Sequence, residues 1–179
     1  MINKKANLLA IISIMGTALL IMAFVFMFVL GGGILSDTLG QVFTEVRTIG
    51  SISDNVNVTE YANIAFAPVE TIMDNFSLYA GVLYILGIVL IFTLAFMFRG
   101  SVSGPVMALF VISALLIITF SIVLSNTYED FYQDDTIGPM IQTYTLASWL
   151  IIYSPTILTI VIFLAGIILM TGKENLYGY

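Results

Sequence analysis

Four runs of apolar residues, 8–30, 78–98, 105–124 and 144–170, divide the chain, and none of them contains a charged side chain. Each is about 20 to 27 residues long, which at a helical rise of about 1.5 Å per residue spans roughly 30 Å or more, the thickness of a bilayer's hydrocarbon core. Backbone N–H and C=O groups find no water in lipid, so a run this apolar has to satisfy them within itself, as a helix does and an open strand does not. The pattern therefore predicts an all-α integral membrane protein with four transmembrane helices in a single domain, 1–179. The second and third runs are separated only by a breaker, Arg99, Gly100, Ser101, Ser103 and Gly104, which makes them a tight hairpin. Pro155, inside the fourth run beside Ser154 and Thr156, predicts a kink, because proline removes a backbone donor and crowds the preceding turn.

The stretches between the runs predict two outer loops, 31–77 and 125–143. Gly31, Gly32 and Gly33 read as the end of the first helix. Beyond them Leu35, Leu39, Val42, Phe43 and Val46 recur at helical spacing, with Asp37, Gln41, Thr44, Glu45 and Arg47 on the other side. This amphipathic helix suits the membrane interface or a neighbouring subunit. Ile49 to Thr59, rich in Gly, Ser, Asn and β-branched residues, predicts a turn with a short strand near Val56 to Val58. A second amphipathic helix follows, with Tyr61, Ile64, Ala65, Val69, Ile72, Met73 and Phe76 on one face and a kink or restart expected at Pro68.

Composition narrows the chemistry. The chain is 60% hydrophobic and 9% charged, with a mean hydropathy of +1.08, whereas soluble domains carry about 25% charged residues. It has no cysteine and no histidine. That excludes thiolate and imidazole nucleophiles, histidine proton relays, disulfides, Cys/His zinc sites and His-ligated haem, and no cofactor or metal is expected. A net charge of -6 argues against a nucleic-acid partner. The first run exceeds the apolar core of a signal peptide, about 7 to 15 residues, and ends without a small-residue cleavage site, so it reads as a retained helix. If Lys4 and Lys5 lie in the cytoplasm, four spans place Arg99 and Lys173 there too, while ten of the eleven acids fall in the outer loops; only Arg47 and Glu174 depart from the division. Both termini are therefore expected in the cytoplasm.

Candidate sites are few. Asn57-Val58-Thr59 and Asn75-Phe76-Ser77 match the glycosylation sequon, and both fall in the first outer loop. Glu129, Asp130, Asp134 and Asp135 form an acidic cluster without the spacing of a calcium loop, which reads as a solvated loop rather than a cation site. No span holds an ionisable group of the kind an ion-coupled transporter needs near the midplane. Hydroxyls remain: Ser148, Ser154, Thr156 and Thr159 of the fourth run are candidates either for lining a passive pore or for helix packing. Ser13-x-x-x-Thr17 and Gly104-x-x-x-Ala108 have the small-residue spacing of close helix contacts. Tyr79, Tyr128, Tyr132, Tyr144 and Trp149 near the outer ends of spans suit an aromatic belt.

Four spans, a long first outer loop, a short inner turn and a shorter second outer loop give a layout similar in outline to that of the claudin-type tetraspan proteins. Their first-loop tryptophan and cysteine signature is absent, since the chain has no Cys and its only Trp is Trp149, so no functional residue carries over. The expectation is a non-enzymatic structural or accessory subunit of a larger membrane assembly, partnered by the lipid bilayer and by other membrane subunits or copies of itself. The plasma membrane or the internal membrane of a virus is the expected location. The alternative is a passive channel or pore-forming subunit.

Overall fold

In the computed structural model the described residues are 4–53, 56–100 and 102–171, so Lys173 and Glu174 lie outside them. α1 (Lys4–Thr48) is followed by two short antiparallel strands, β1 (Ser51–Ser53) and β2 (Val56–Asn57), then α2 (Val58–Asp74) and α3 (Phe76–Met97). After the Arg99–Gly100 turn come α4 (Gly104–Gln133), the short α5 (Gly138–Gln142), α6 (Thr145–Ile152) and α7 (Ser154–Met170). Three of these helices, α1 from Ile11, α3 and α4, are long and apolar enough to cross a membrane. A fourth span arises if α6 and α7, which meet at a 62° bend, are counted as one. These are the proportions of a multi-pass membrane protein.

The structure differs from the sequence pattern at the helix ends. No break occurs at Gly31 to Gly33: α1 runs on without interruption for 45 residues, about 67 Å. A glycine in a helix costs about 1 kcal/mol relative to alanine, which is offset here because Gly32 and Gly33 let Phe76 and Ile141 come up against the helix. The first predicted amphipathic helix is therefore the upper part of α1. Pro68, expected to kink or restart the second, lies inside α2, which passes through it. α4 likewise continues nine residues past the predicted end at 124, carrying Glu129 and Asp130 on its last turns. The fourth apolar run is divided at Tyr153, immediately before Ser154 and Pro155.

α2 and α3 run one after the other along α1 in the opposite direction. Phe43 stacks on Phe66 with ring centroids 4.0 Å apart, and Phe28 meets Phe76 edge-on at 5.0 Å. Near the tip, Arg47 donates to Asn63 Oδ1 at 2.7 Å and forms a 2.7 Å ion pair with Glu70. The hydrogen bond from Arg47 holds the Glu70 carboxyl below its ordinary range. Thr59 donates to the Arg47 carbonyl at 2.9 Å, closing the turn.

Two apolar clusters fill the bundle. One joins Ile11 and Ile14 of α1 to Ala95, Val102, Phe110 and Leu169, so the start of α1, the α3–α4 turn and the end of α7 gather at one end. There Gly100 N–H donates to the Leu169 carbonyl at 3.0 Å. The other cluster joins Val25 and Val29 to Ala80, Tyr84, Tyr128, Ile141 and Tyr144 toward the opposite end.

Candidate functional site

The buried face of α4 is set by helical spacing: Phe110, Ala114, Ile117, Ser121, Ser125 and Tyr128 follow at steps of four or three and all point inward. The first three are apolar and the last three carry hydroxyls. The change falls opposite the break between α6 and α7. Pro155 has no N–H to offer the Ile151 carbonyl, and the bend at Tyr153 leaves carbonyls of this stretch short of helical donors. α4 supplies a donor to one of them.

Ser125 donates to the Ile152 carbonyl at 2.7 Å. Ser121 and Ser154 share a hydrogen bond of 3.0 Å, and both are buried. Higher up, Ser148 donates to the Ile141 carbonyl at 3.2 Å, so in its 2.7 Å bond with Tyr128 the tyrosine is the donor. Tyr144 donates to the Gly32 carbonyl at 3.2 Å, tying the start of α6 to α1. Ser77 of α3 accepts from the Ala147 N–H at 3.3 Å, occupying one of the free donors at the first turn of α6. The result is a ribbon of hydroxyls that runs up α4 and fastens the broken helix to α1, α3 and α4.

Tyr84 of α3 closes on the same ribbon and is 1% exposed, yet its hydroxyl has no hydrogen-bond partner among the described residues. The slot beside it, between Met22, Val25, Phe26, Leu124, Ile151 and Ser154, has no room for a water molecule. The ribbon is made of hydroxyls and backbone amide groups, and it holds helices in register.

Of the four hydroxyls singled out in the fourth run, Ser148 and Ser154 join the ribbon while Thr156 and Thr159 face outward. Thr159 donates to its own helix, to the Pro155 carbonyl at 2.6 Å, and borders an apolar groove of about 320 Å³ between α4 and α7. Tyr128 and Tyr144, read as belt residues, are buried instead, whereas Tyr79 and Trp149 are exposed as a belt requires. Gly104 and Ala108 are both exposed. Ser121, Ser125 and Tyr84 are ribbon residues that pattern reading misses, and Tyr128 is one that it assigns to the belt. The repeat Ser121, Ser125, Tyr128 would have pointed to the first two, had α4 been continued past 124.

The sequons sit at helix starts. Asn57 is exposed and caps α2 by accepting from the Glu60 N–H at 3.2 Å, while Asn75, half-buried between α2 and α3, donates to the Thr71 carbonyl at 2.7 Å. In the acidic cluster, Asp134 accepts from the backbone N–H groups of Ile137 and Thr136 at 2.9 and 2.8 Å, which hold its carboxyl below the ordinary range. Among the described residues no three potential metal-ligating side chains come together. Comparison with protein families, with curated proteins and with solved structures finds no match to this chain.

Proposed function

We propose that the chain is a non-enzymatic structural or accessory subunit of a larger membrane assembly, crossing the bilayer four times with both termini on the cytoplasmic face. The observation that carries this reading is apolar surface left open where lipid does not reach. α1 is about twice as long as a bilayer core is thick, so its part beyond Gly33, together with α2, stands clear of the hydrocarbon as a stalk. On that stalk Leu35, Val42, Tyr61, Ile64 and Ile72 are each between 45% and 69% exposed. Exposed apolar residues gathered on a stalk of this kind suit a site of association.

The hydroxyl ribbon supports the same reading, because its hydrogen bonds fix helices against one another. A passive pore through one copy draws no support from it: its serines are bonded to neighbours, the slot at Tyr84 excludes water, and Thr156 and Thr159 look away. Blue-native electrophoresis of gently solubilised membranes tests the proposal. The chain is expected to migrate well above its own 19.6 kDa once detergent is accounted for; a clean monomer would overturn it.

A further inference from the structure

Between α4 and α7 runs an open apolar groove of about 320 Å³, and we propose that it holds one hydrocarbon chain of an anionic phospholipid whose phosphate is bound by Arg99. This rests on the four-span reading and adds a lipid ligand to it. The groove is cut by small residues. Ala114 and Gly166 form its floor with Phe110 and Ile162, all of them buried. The Phe110 ring comes to 3.1 Å from the place a Cβ on Gly166 would take, so the two helices are drawn close along that floor. Val111 and Leu115 of α4 and Phe163 and Ile167 of α7 are exposed and make the walls. The hydroxyl at one end, that of Thr159, already donates to the Pro155 carbonyl. A soluble polar ligand would find nothing to bond.

Three features select a lipid chain over a helix of another protein. The first is length. Met107 and Ile118 on α4, and Thr159 and Met170 on α7, mark the two ends and are each 11 residues apart, which is about 16 Å of helix. Half of a hydrocarbon core of roughly 30 Å is about 15 Å, so the groove is one leaflet deep. The second is where it stops. One turn beyond Ile118, Ser121 meets Ser154 at 3.0 Å and the two helices close against each other. A helix that crosses both leaflets needs a seat about twice as long, whereas a chain of one leaflet does not.

The third feature is charge. The end at Met107 and Met170 adjoins the α3–α4 turn, where the Gly100 N–H donates to the Leu169 carbonyl. Arg99 on that turn is exposed and has no carboxylate within ion-pair distance among the described residues. Its guanidinium reaches the Thr171 carbonyl at 3.5 Å, which sets it beside Met170 at the mouth of the groove. A cation at one end and hydrocarbon along the rest is the complement of a phospholipid, a phosphate above an acyl chain. In the four-span arrangement this turn lies at the cytoplasmic surface, so the lipid belongs to the inner leaflet.

The chain's single tryptophan, Trp149, lies on α6 and outside the groove, so a Trp149→Phe background lets one introduced tryptophan report the lipid beside it. Phe163→Trp puts the reporter on the groove wall, and Leu116→Trp puts it at an exposed position of α4 away from the groove. Each full-length variant is reconstituted in phosphatidylcholine vesicles containing increasing fractions of phosphatidylglycerol brominated on its chains, or of brominated phosphatidylcholine, and quenching is compared. At Phe163→Trp the anionic lipid is expected to be favoured about five-fold, the factor that one basic residue at a membrane surface supplies. Adding Arg99→Gln is expected to bring that ratio to about one, the value also expected at Leu116→Trp, where no site selects between the lipids. Equal quenching by the two lipids at Phe163→Trp, the same preference at both reporters, or a preference that survives Arg99→Gln would overturn the proposal and leave the spans in place. Absence of quenching at both reporters would mean that neither helix lies in lipid, and the four-span reading would fall as well.

Discussion

Two buried tyrosines illustrate opposite uses of a hydroxyl in an apolar setting. Tyr128 donates to Ser148, which passes the pattern on to the Ile141 carbonyl, so each oxygen in that chain is occupied. Tyr84 is as deeply buried and has nothing to bond among the described residues. Interhelical hydrogen bonds in membranes are worth about 0.6 to 1.7 kcal/mol, whereas an unsatisfied buried donor carries a penalty of about 1 to 3 kcal/mol. The same Tyr→Phe change should therefore have opposite signs at the two sites. Tyr128→Phe is expected to lower the thermal unfolding midpoint in detergent and Tyr84→Phe to leave it unchanged or raise it. A drop at Tyr84 equal to that at Tyr128 would show that its hydroxyl has a partner after all.

At the level of helices, closeness of approach does what charge pairing does in soluble bundles. α3 comes so near α1 at Gly87 that an added methyl group would run into several atoms of Ile21, and a rotamer change of one terminal atom cannot clear them all. Gly87→Ala is expected to destabilise the bundle by about 1 to 3 kcal/mol, the usual range for overpacking, with part of the loss recovered by adding Ile21→Ala. Gly16→Ala, where the new methyl meets nothing, should be neutral or slightly stabilising. Thermal unfolding of the three variants side by side checks this. The apolar runs were legible because hydropathy reads out transfer into lipid directly. Helix ends were less so: Gly31 to Gly33 have the composition of a turn, yet Gly32 and Gly33 serve as contact points for Phe76 and Ile141, a tertiary use that residue type alone does not announce. The kink expected from Pro155 is present, whereas Pro68 is carried inside a continuous helix. The hydroxyl ribbon was half visible, since Ser148 and Ser154 stand in the fourth run but their partners on α4 depend on which face that helix turns to the break.

Across the whole molecule, the start of α1, the α3–α4 turn and the end of α7 share one end, and the stalk stands at the other. Tags at the two termini are therefore expected to be reached from the same side of the membrane; access from opposite sides would remove the four-span arrangement. The bend at Tyr153 has a further effect at this scale. Laid straight, the 8 residues of α6 and the 17 of α7 would reach about 38 Å, several ångströms more than a bilayer core of roughly 30 Å accommodates upright. Tipped through 62°, α6 adds only about 6 Å to the 25 Å or so of α7, and the sum comes back to the thickness of the hydrocarbon. In the proposed four-span arrangement the waterline of the protein is thus drawn by one interrupted turn, and any change that unbent it would lift greasy helix into water or force the surrounding lipids to stretch.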